Sequence, residues 1–291
     1  MTLRVGLVNN MGDAALAATE RQFASLLTDA AGGEVVDLQL FSLASVERGE
    51  RARAQMLGRY RPADALADAD LDAVIVTGAE PRTPDLDAEP YWPELARLID
   101  WTAAEGVPAI WSCLAAHAAA LRLAGVRRRR LPAKLSGVFT ARRTSRHPLL
   151  AYASANLRAP HSRLNELAAE ELERAGLPVL SWSNEAGVDA FVRPGPAPML
   201  FLQGHPEYEA DTLLREYARD LGRFERGERA TRPDLPANYV APAAAARLAA
   251  GGDAQPANTW RNSAVALYRG WLGLIPHTAA PARILEGAVS A

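Results

Sequence analysis

The chain has 291 residues, 49% of them apolar and 23% charged, and carries a formal net charge of −2. That balance excludes a disordered chain and leaves no bulk electrostatic case for binding nucleic acid or a membrane surface. No apolar run reaches transmembrane length and the N-terminus opens directly into a strand pattern, so a soluble cytoplasmic protein is expected.

Leu3 to Val8 reads as a first buried strand. From Asp13 to about Ala30 the residues Leu16, Phe23, Leu26 and Leu27 recur at helical spacing, with Asp13 at the N-cap position. Glu34 to Leu43 reads as a second strand, and Val46 to Asp70 as a polar, arginine-rich loop with a short helix. Leu71 to Gly78 is a third strand, and Trp92 to Glu105 a helix. Val107 to Ser112 is a short apolar strand, and an alanine- and leucine-rich helix runs from Leu114 to Leu123. The second half has shorter strands at Leu135 to Thr140, Val179 to Trp182, Val188 to Val192 and Met199 to Gln203, some of them antiparallel. Helices are predicted at Arg163 to Ala175, Glu209 to Arg223 and Trp260 to Leu272. This alternation predicts an α/β fold, a doubly wound, mainly parallel sheet with flanking helices over residues 1–235. Residues 236–291, rich in Pro and Ala, are expected to form a C-terminal extension packed on the core. In such a sheet the carboxyl ends of the strands hold the ligand, and Asn9, Gly78 and Cys113 all fall there.

Cys113 sits at a strand-to-helix joint, where a sharp turn thrusts the side chain outward. The first helical N–H groups, Leu114 foremost, point toward it and can stabilise a thiolate and then an oxyanion. It is the only cysteine, which removes disulfides and cysteine-rich metal sites from consideration. Gly204-His205-Pro206-Glu207 follows an apolar strand, so a histidine at a strand's end has a carboxylate two residues on. Such a carboxylate fixes the imidazole tautomer while the histidine moves protons. An isolated His and Glu pair is more often a solvated surface feature, but joined to an elbow cysteine it reads as a triad of Cys113, His205 and Glu207. Among 32 basic residues Lys134 is the sole lysine. Lysine is a compact point charge and arginine a wide planar fork, so a single retained lysine points to a tight site. His117 shares a helical face with Cys113 and either packs or touches the site. The run Arg127 to Arg130 either reaches phosphates or forms a solvated basic turn.

These residues carry a resemblance. Val76-Thr77-Gly78-Ala79, Tyr91-Trp92-Pro93, Lys134-Leu135-Ser136-Gly137-Val138, Ala159-Pro160-His161-Ser162-Arg163, Gly204-His205-Pro206-Glu207-Tyr208, Arg219-Asp220 and Trp260-Arg261 run in the order of the homoserine O-succinyltransferase/O-acetyltransferase family. That family is built on the class I glutamine amidotransferase-like fold, and the likeness covers essentially the whole chain. The resemblance implies an acyl-CoA:L-homoserine O-acyltransferase of methionine biosynthesis, a homodimer with no permanent cofactor and no metal. It implies a ping-pong route in which Cys113 takes the acyl group from the co-substrate acyl-CoA, with His205 as base and Glu207 behind it. Lys134, Ser162 and Arg219 fall on substrate-binding positions. The chain departs from the family where lysines often follow the first-strand methionine; here it reads Met11-Gly12-Asp13-Ala14. Leu114 and His117 replace a tryptophan and a glutamine. At the family's acyl-selecting position stands Arg82, neither the glutamate associated with acetyl-CoA nor the glycine associated with succinyl-CoA. An arginine suits a succinyl carboxylate, unless Glu80 or Asp85 ties it down and leaves room only for acetyl. The competing readings are a serine O-acyltransferase of the same family, a glutamine amidotransferase and a catalytically silent small-molecule-binding protein.

Overall fold

The computed structural model describes residues 2–197 and 199–276. In chain order the elements are β1 (Thr2–Val8), α1 (Leu16–Ala30), β2 (Val35–Ser42), α2 (Glu50–Met56), β3 (Tyr60–Pro62), β4 (Ala73–Val76), α3 (Trp92–Ala104), β5 (Ala109–Ser112), α4 (Leu114–Ala124), β6 (Arg129–Arg143), β7 (Asn156–Glu166), α5 (Ala169–Arg174), β8 (Val179–Ser183), β9 (Gly187–Arg193), β10 (Met199–Leu202), α6 (Thr212–Glu225), α7 (Pro242–Ala249) and α8 (Arg261–Leu272). The ten strands form one sheet in the order β3-β2-β1-β4-β5-β10-β9-β8-β6-β7. From β3 to β10 every pairing is parallel, and from β10 outward every pairing is antiparallel.

The middle strands of the parallel half, β4, β5 and β10, are buried at every position because both their faces are covered, and they sort their side chains by the period of two. Val74, Val76, Trp111 and Phe201 face a layer that includes Leu95 and Ile99 of α3 and Ala115 and Ala119 of α4. Ala73, Ile75, Ile110 and Leu200 face the other layer, with Phe23 and Leu26 of α1 and Tyr268 and Trp271 of α8. This two-sided cover is the doubly wound arrangement. Helix α8 lies beside α1 and is tied to it by Arg261, whose Nη2 stands 2.6 Å from Asp29 Oδ2. Residues 277–291 of the expected extension lie outside the described residues.

Two local expectations are corrected. The helix read from Arg163 to Ala175 begins only at Ala169, because Asn156–Glu166 is strand β7, paired with β6 through Val138 and Pro160. A proline belongs in a strand at a sheet edge, where its missing N–H interrupts no second ladder, and β7 is the edge. Asp13 does not cap α1, which starts at Leu16; its Oδ2 accepts the Gly49 N–H at 2.8 Å and so joins the first-strand loop to α2.

Candidate functional site

Cys113 occupies the joint between β5 and α4 with φ 52° and ψ −112°, a positive-φ conformation that costs a non-glycine residue on the order of 1–3 kcal/mol. The strain is held from both sides. The Cys113 N–H donates to Leu202 O on β10 at 2.7 Å, and the Cys113 carbonyl accepts the His117 N–H at 3.2 Å, starting the helix. A Cβ on Gly78 would lie 2.6 Å from Leu114 Cβ and 3.2 Å from Leu114 N, so only glycine lets the backbone after β4 approach the first turn of α4. Two backbone segments therefore converge beside the thiol, one carrying the Leu114 N–H at the start of a helix.

His205 follows β10 and is brought within hydrogen-bonding reach of Cys113. Its N–H donates to Pro160 O at 2.7 Å, which fixes the loop to β7. The ring Nδ1–H donates to Glu207 Oε1 at 2.8 Å, leaving Nε2 as the other ring nitrogen, and the Tyr208 ring stacks on the imidazole with centroids 4.3 Å apart. Burial disfavours the imidazolium, but the charges of Cys113 and Glu207 outweigh it and raise His205 well above its ordinary range. Cys113, His205 and Glu207, three residues picked from sequence, are thus contiguous in space.

His117 resolves differently. It is 3% exposed, and its Nε2–H donates to Gln203 Oε1 at 2.9 Å, while the same oxygen accepts the Leu167 N–H at 2.8 Å. Burial pushes its pKa down to about 3. It is a neutral packing histidine that secures the end of β10, immediately before Gly204 and His205.

Lys134, on β6, donates to Asp220 Oδ2 at 2.8 Å and stands 3.8 Å from Glu216 Oε2. Ser162, on β7, donates its hydroxyl to Glu216, whose other oxygen accepts from Tyr208 Oη at 2.8 Å. Arg219 donates its Nε to Asp220 Oδ1 at 2.9 Å, and Arg229 approaches Asp220 Oδ2 at 3.1 Å. Burial works against the Asp220 carboxylate, yet Lys134 and then Arg219 hold it below the usual carboxylate range. The three positions predicted to bind substrate form one polar cluster, linked through Glu216 and Tyr208 to the ring face of His205. Sequence reading missed Glu216 as a site residue. The available signal was helical spacing, since Glu216, Arg219, Asp220 and Arg223 lie on one face of α6. It also gave no role to Arg163, a buried residue whose charge burial disfavours and the charge of Cys113 supports. Its Nε donates to His161 Nδ1 at 3.3 Å, and the His161 ring in turn stands 3.3 Å from Asp189 Oδ1.

Arg82 lies in the loop that follows β4. Neither Glu80 nor Asp85 holds it. Its Nη2 pairs with Glu47 Oε2 at 2.7 Å, with side chains 55% and 75% exposed. Its N–H and that of Thr83 both donate to the buried Glu89 Oε1 at 2.7 Å. Arg82 and Glu47 border a cleft of ≈ 400 Å³ that also includes Asn10, Ala79 and Tyr91, at the carboxyl ends of β1 and β4. The arginine run is committed locally. Arg127 pairs with Asp87 at 3.0 Å, Arg128 donates to Pro84 O at 2.7 Å, and Arg129 stands 3.6 Å from Glu166. Near Met11 the cationic group is Arg48, which donates to the carbonyls of Met11 and Asn9. Among the described residues there is no cluster of His, Cys, Asp or Glu that would hold a metal ion, and no helix is long and apolar enough to cross a membrane.

A family model described as homoserine O-succinyltransferase matches residues 1–281. A homoserine O-succinyltransferase of Methylorubrum extorquens is 48% identical over 294 aligned positions, covering 94% of this chain and 87% of the relative. One of Rhodopseudomonas palustris is 50% identical over 237 positions, covering 81% of this chain and 71% of the relative. Among solved structures, a glutamine amidotransferase of Thermotoga maritima superposes with a TM-score of 0.59 at 16% identity, covering 94% of this chain and 98% of that one. At that identity the likeness speaks for the fold alone, and the fold is that of the class I glutamine amidotransferases.

Proposed function

The chain belongs to the homoserine O-succinyltransferase family and is an acyltransferase; from that premise we propose that it transfers a succinyl group from succinyl-CoA to the hydroxyl of L-homoserine through a thioester on Cys113. The observation that carries the reading is the strained elbow at Cys113 facing a histidine whose charged form is favoured by its neighbours. The thiolate attacks the donor's thioester carbonyl, the Leu114 N–H donates to the developing oxyanion, and CoA leaves with a proton from His205. His205, held in one tautomer by Glu207, then takes the proton of the homoserine hydroxyl as that oxygen attacks the acyl-enzyme, which restores the thiolate.

Lys134, Ser162 and Arg219 hold the amino acid in this scheme. Lys134 and Arg219 suit its carboxylate, and the carboxylates of Glu216 and Asp220 suit its ammonium group. Arg82 reads the donor. A succinyl group ends in a carboxylate that can replace Glu47 on the guanidinium, and because an exposed pair is worth at most about 1 kcal/mol, the exchange costs little. The same pair supports a second reading, in which Arg82 stays on Glu47 and the smaller acetyl group is preferred. The cytoplasmic homodimer and the division into a domain of residues 1–235 with an extension over 236–291 belong to the same proposal. The deciding experiment is intact-protein mass measurement after incubation with succinyl-CoA in the absence of homoserine. One succinyl adduct, absent from Cys113→Ser and discharged by homoserine but not by serine, is expected. Product formed with no adduct at any time point would replace the covalent route by direct transfer.

A further inference from the structure

The cleft beside Arg82 continues into a second, larger one. It has a volume of ≈ 720 Å³ and is bordered by Leu43, Arg53, Met56, Leu57 and Arg61, among others, between β2, α2 and β3. The two clefts share Val46 and Glu47, so they adjoin along the segment that follows β2. That segment is pinned: the N–H groups of Ala44 and Ser45 donate to the two carboxylate oxygens of Glu94, each at 2.8 Å. This held segment borders both an inner cleft at the ends of β1 and β4 and an outer one at the end of β2.

Strand order sets the scale. From β5, which carries Cys113, the sheet runs through β4, β1 and β2 to β3. Four strand spacings amount to about 19 Å. A donor whose acyl carbonyl sits at Cys113 and whose chain lies extended across these strand ends passes the inner cleft with its neutral, amide-bearing arm. Its phosphorylated nucleotide end then arrives at the outer cleft. There the chemistry changes to suit it. Arg53 and Arg61 are exposed, and each commits a terminal nitrogen to a backbone carbonyl, Arg48 O and Ala65 O, which orients the fork. The Arg61 guanidinium is further fixed 5.2 Å over the Phe41 ring. Leu57 is 83% exposed beside them and offers an apolar surface on the same cleft. Oriented arginines with an adjacent apolar surface match phosphate groups attached to a flat heterocycle. Of the nearby acids Asp13 and Glu80 border only the inner cleft, while Glu47 borders both and is paired with Arg82.

We propose that the outer cleft is the binding site for the phosphorylated nucleotide end of the acyl donor, with Arg53 and Arg61 as its phosphate ligands and Leu57 as a face for the base. The inference rests on the reading of the protein as an acyl-CoA-dependent transferase. It is tested by comparing succinyl-CoA with succinyl-pantetheine, which has the same reacting end and lacks the nucleotide. In the wild-type protein kcat/KM is expected to be higher for succinyl-CoA. Arg53→Ala and Arg61→Ala are each expected to reduce that preference by about tenfold, through the KM for succinyl-CoA. Arg53→Glu should reduce it further. A defect in folding lowers both donors together and leaves the ratio unchanged, so an unchanged ratio in all three variants overturns the assignment. Absence of transfer from either donor in the wild-type protein overturns instead the acyl-CoA reading on which it stands.

Discussion

The two sides of Cys113 are built in different ways. Toward β6, β7 and α6 the side chains are buried and mutually bonded: His205 on Glu207, Tyr208 on Glu216, Lys134 on Asp220. Toward β4 and β2 the backbone is held by buried carboxylates such as Glu89, but the side chain of Arg82 ends in an exposed pair with Glu47. Buried, satisfied networks hold their geometry because breaking any one bond leaves an unpaired group in a low-dielectric surround. Exposed pairs are worth at most about 1 kcal/mol and exchange partners freely. Under the proposed function the side of Lys134 is therefore organised before any substrate arrives, whereas the Arg82 side chain is free to exchange Glu47 for another carboxylate.

The comparison breaks most severely at its hinge. Cys113→Ser is expected to lower turnover by at least about a thousandfold with the fold retained, since a hydroxyl is a far weaker nucleophile at neutral pH. Near-native turnover, read from CoA release, would remove the covalent step. His205→Ala should cost about 10²–10⁴-fold in kcat. A loss under tenfold would place the proton path elsewhere, and His117, held neutral and bonded to Gln203, has no means of supplying it. On the donor side Arg82→Ala is expected to reduce kcat/KM with succinyl-CoA about ten- to a hundredfold more than with acetyl-CoA. Equal losses, or a wild-type preference for acetyl-CoA, would show that the arginine does not read the donor's carboxylate.

The smallest effect concerns stability and separates three buried histidines by sign. His117 has its folded pKa depressed from 6.5 to about 3. Its neutral form is fully in place above pH 6.5, and stability is lost as the pH falls from 6.5 toward 3, because the unfolded chain binds the proton first. Within that window the slope is about 1.4 kcal/mol per pH unit. The folded pKa of His161 is also lowered, by burial, and acts in the same direction. His205 is raised, so its contribution is complete below pH 6.5 and is lost as the pH rises. Thermal melting between pH 4 and 6.5 is expected to flatten in His117→Gln relative to wild type, after allowance for a uniform loss. A parallel pair of curves would mean His117 titrates normally.

Much of this was readable in the amino-acid order. The central strands β4, β5 and β10 are short, almost wholly apolar runs because both their faces are covered, and the joint at Cys113 follows from the junction of such a run with an alanine-rich helix. The pairing of His205 with Glu207 is local and so visible. Strand β7 was not, since an edge strand with polar alternate positions and a proline lacks the pattern of a buried one. The tie from Arg82 to Glu47 spans 35 residues, whereas the alternative partners visible in the sequence, Glu80 and Asp85, are its near neighbours. Glu216 escaped because its importance comes from Ser162 and Tyr208, which only the folded sheet brings to it.

Lys134 is the sole lysine of 291 residues, and its side chain is 15% exposed beneath two carboxylates. Reagents that modify primary amines thus find on this protein one side chain, and under the proposed function it lies in the acceptor pocket. Mild amine labelling becomes a footprint of that pocket: homoserine should shield Lys134 from modification, while the arginine-covered exterior stays unmarked. The scarcity of one residue type turns a general surface chemistry into a local reporter.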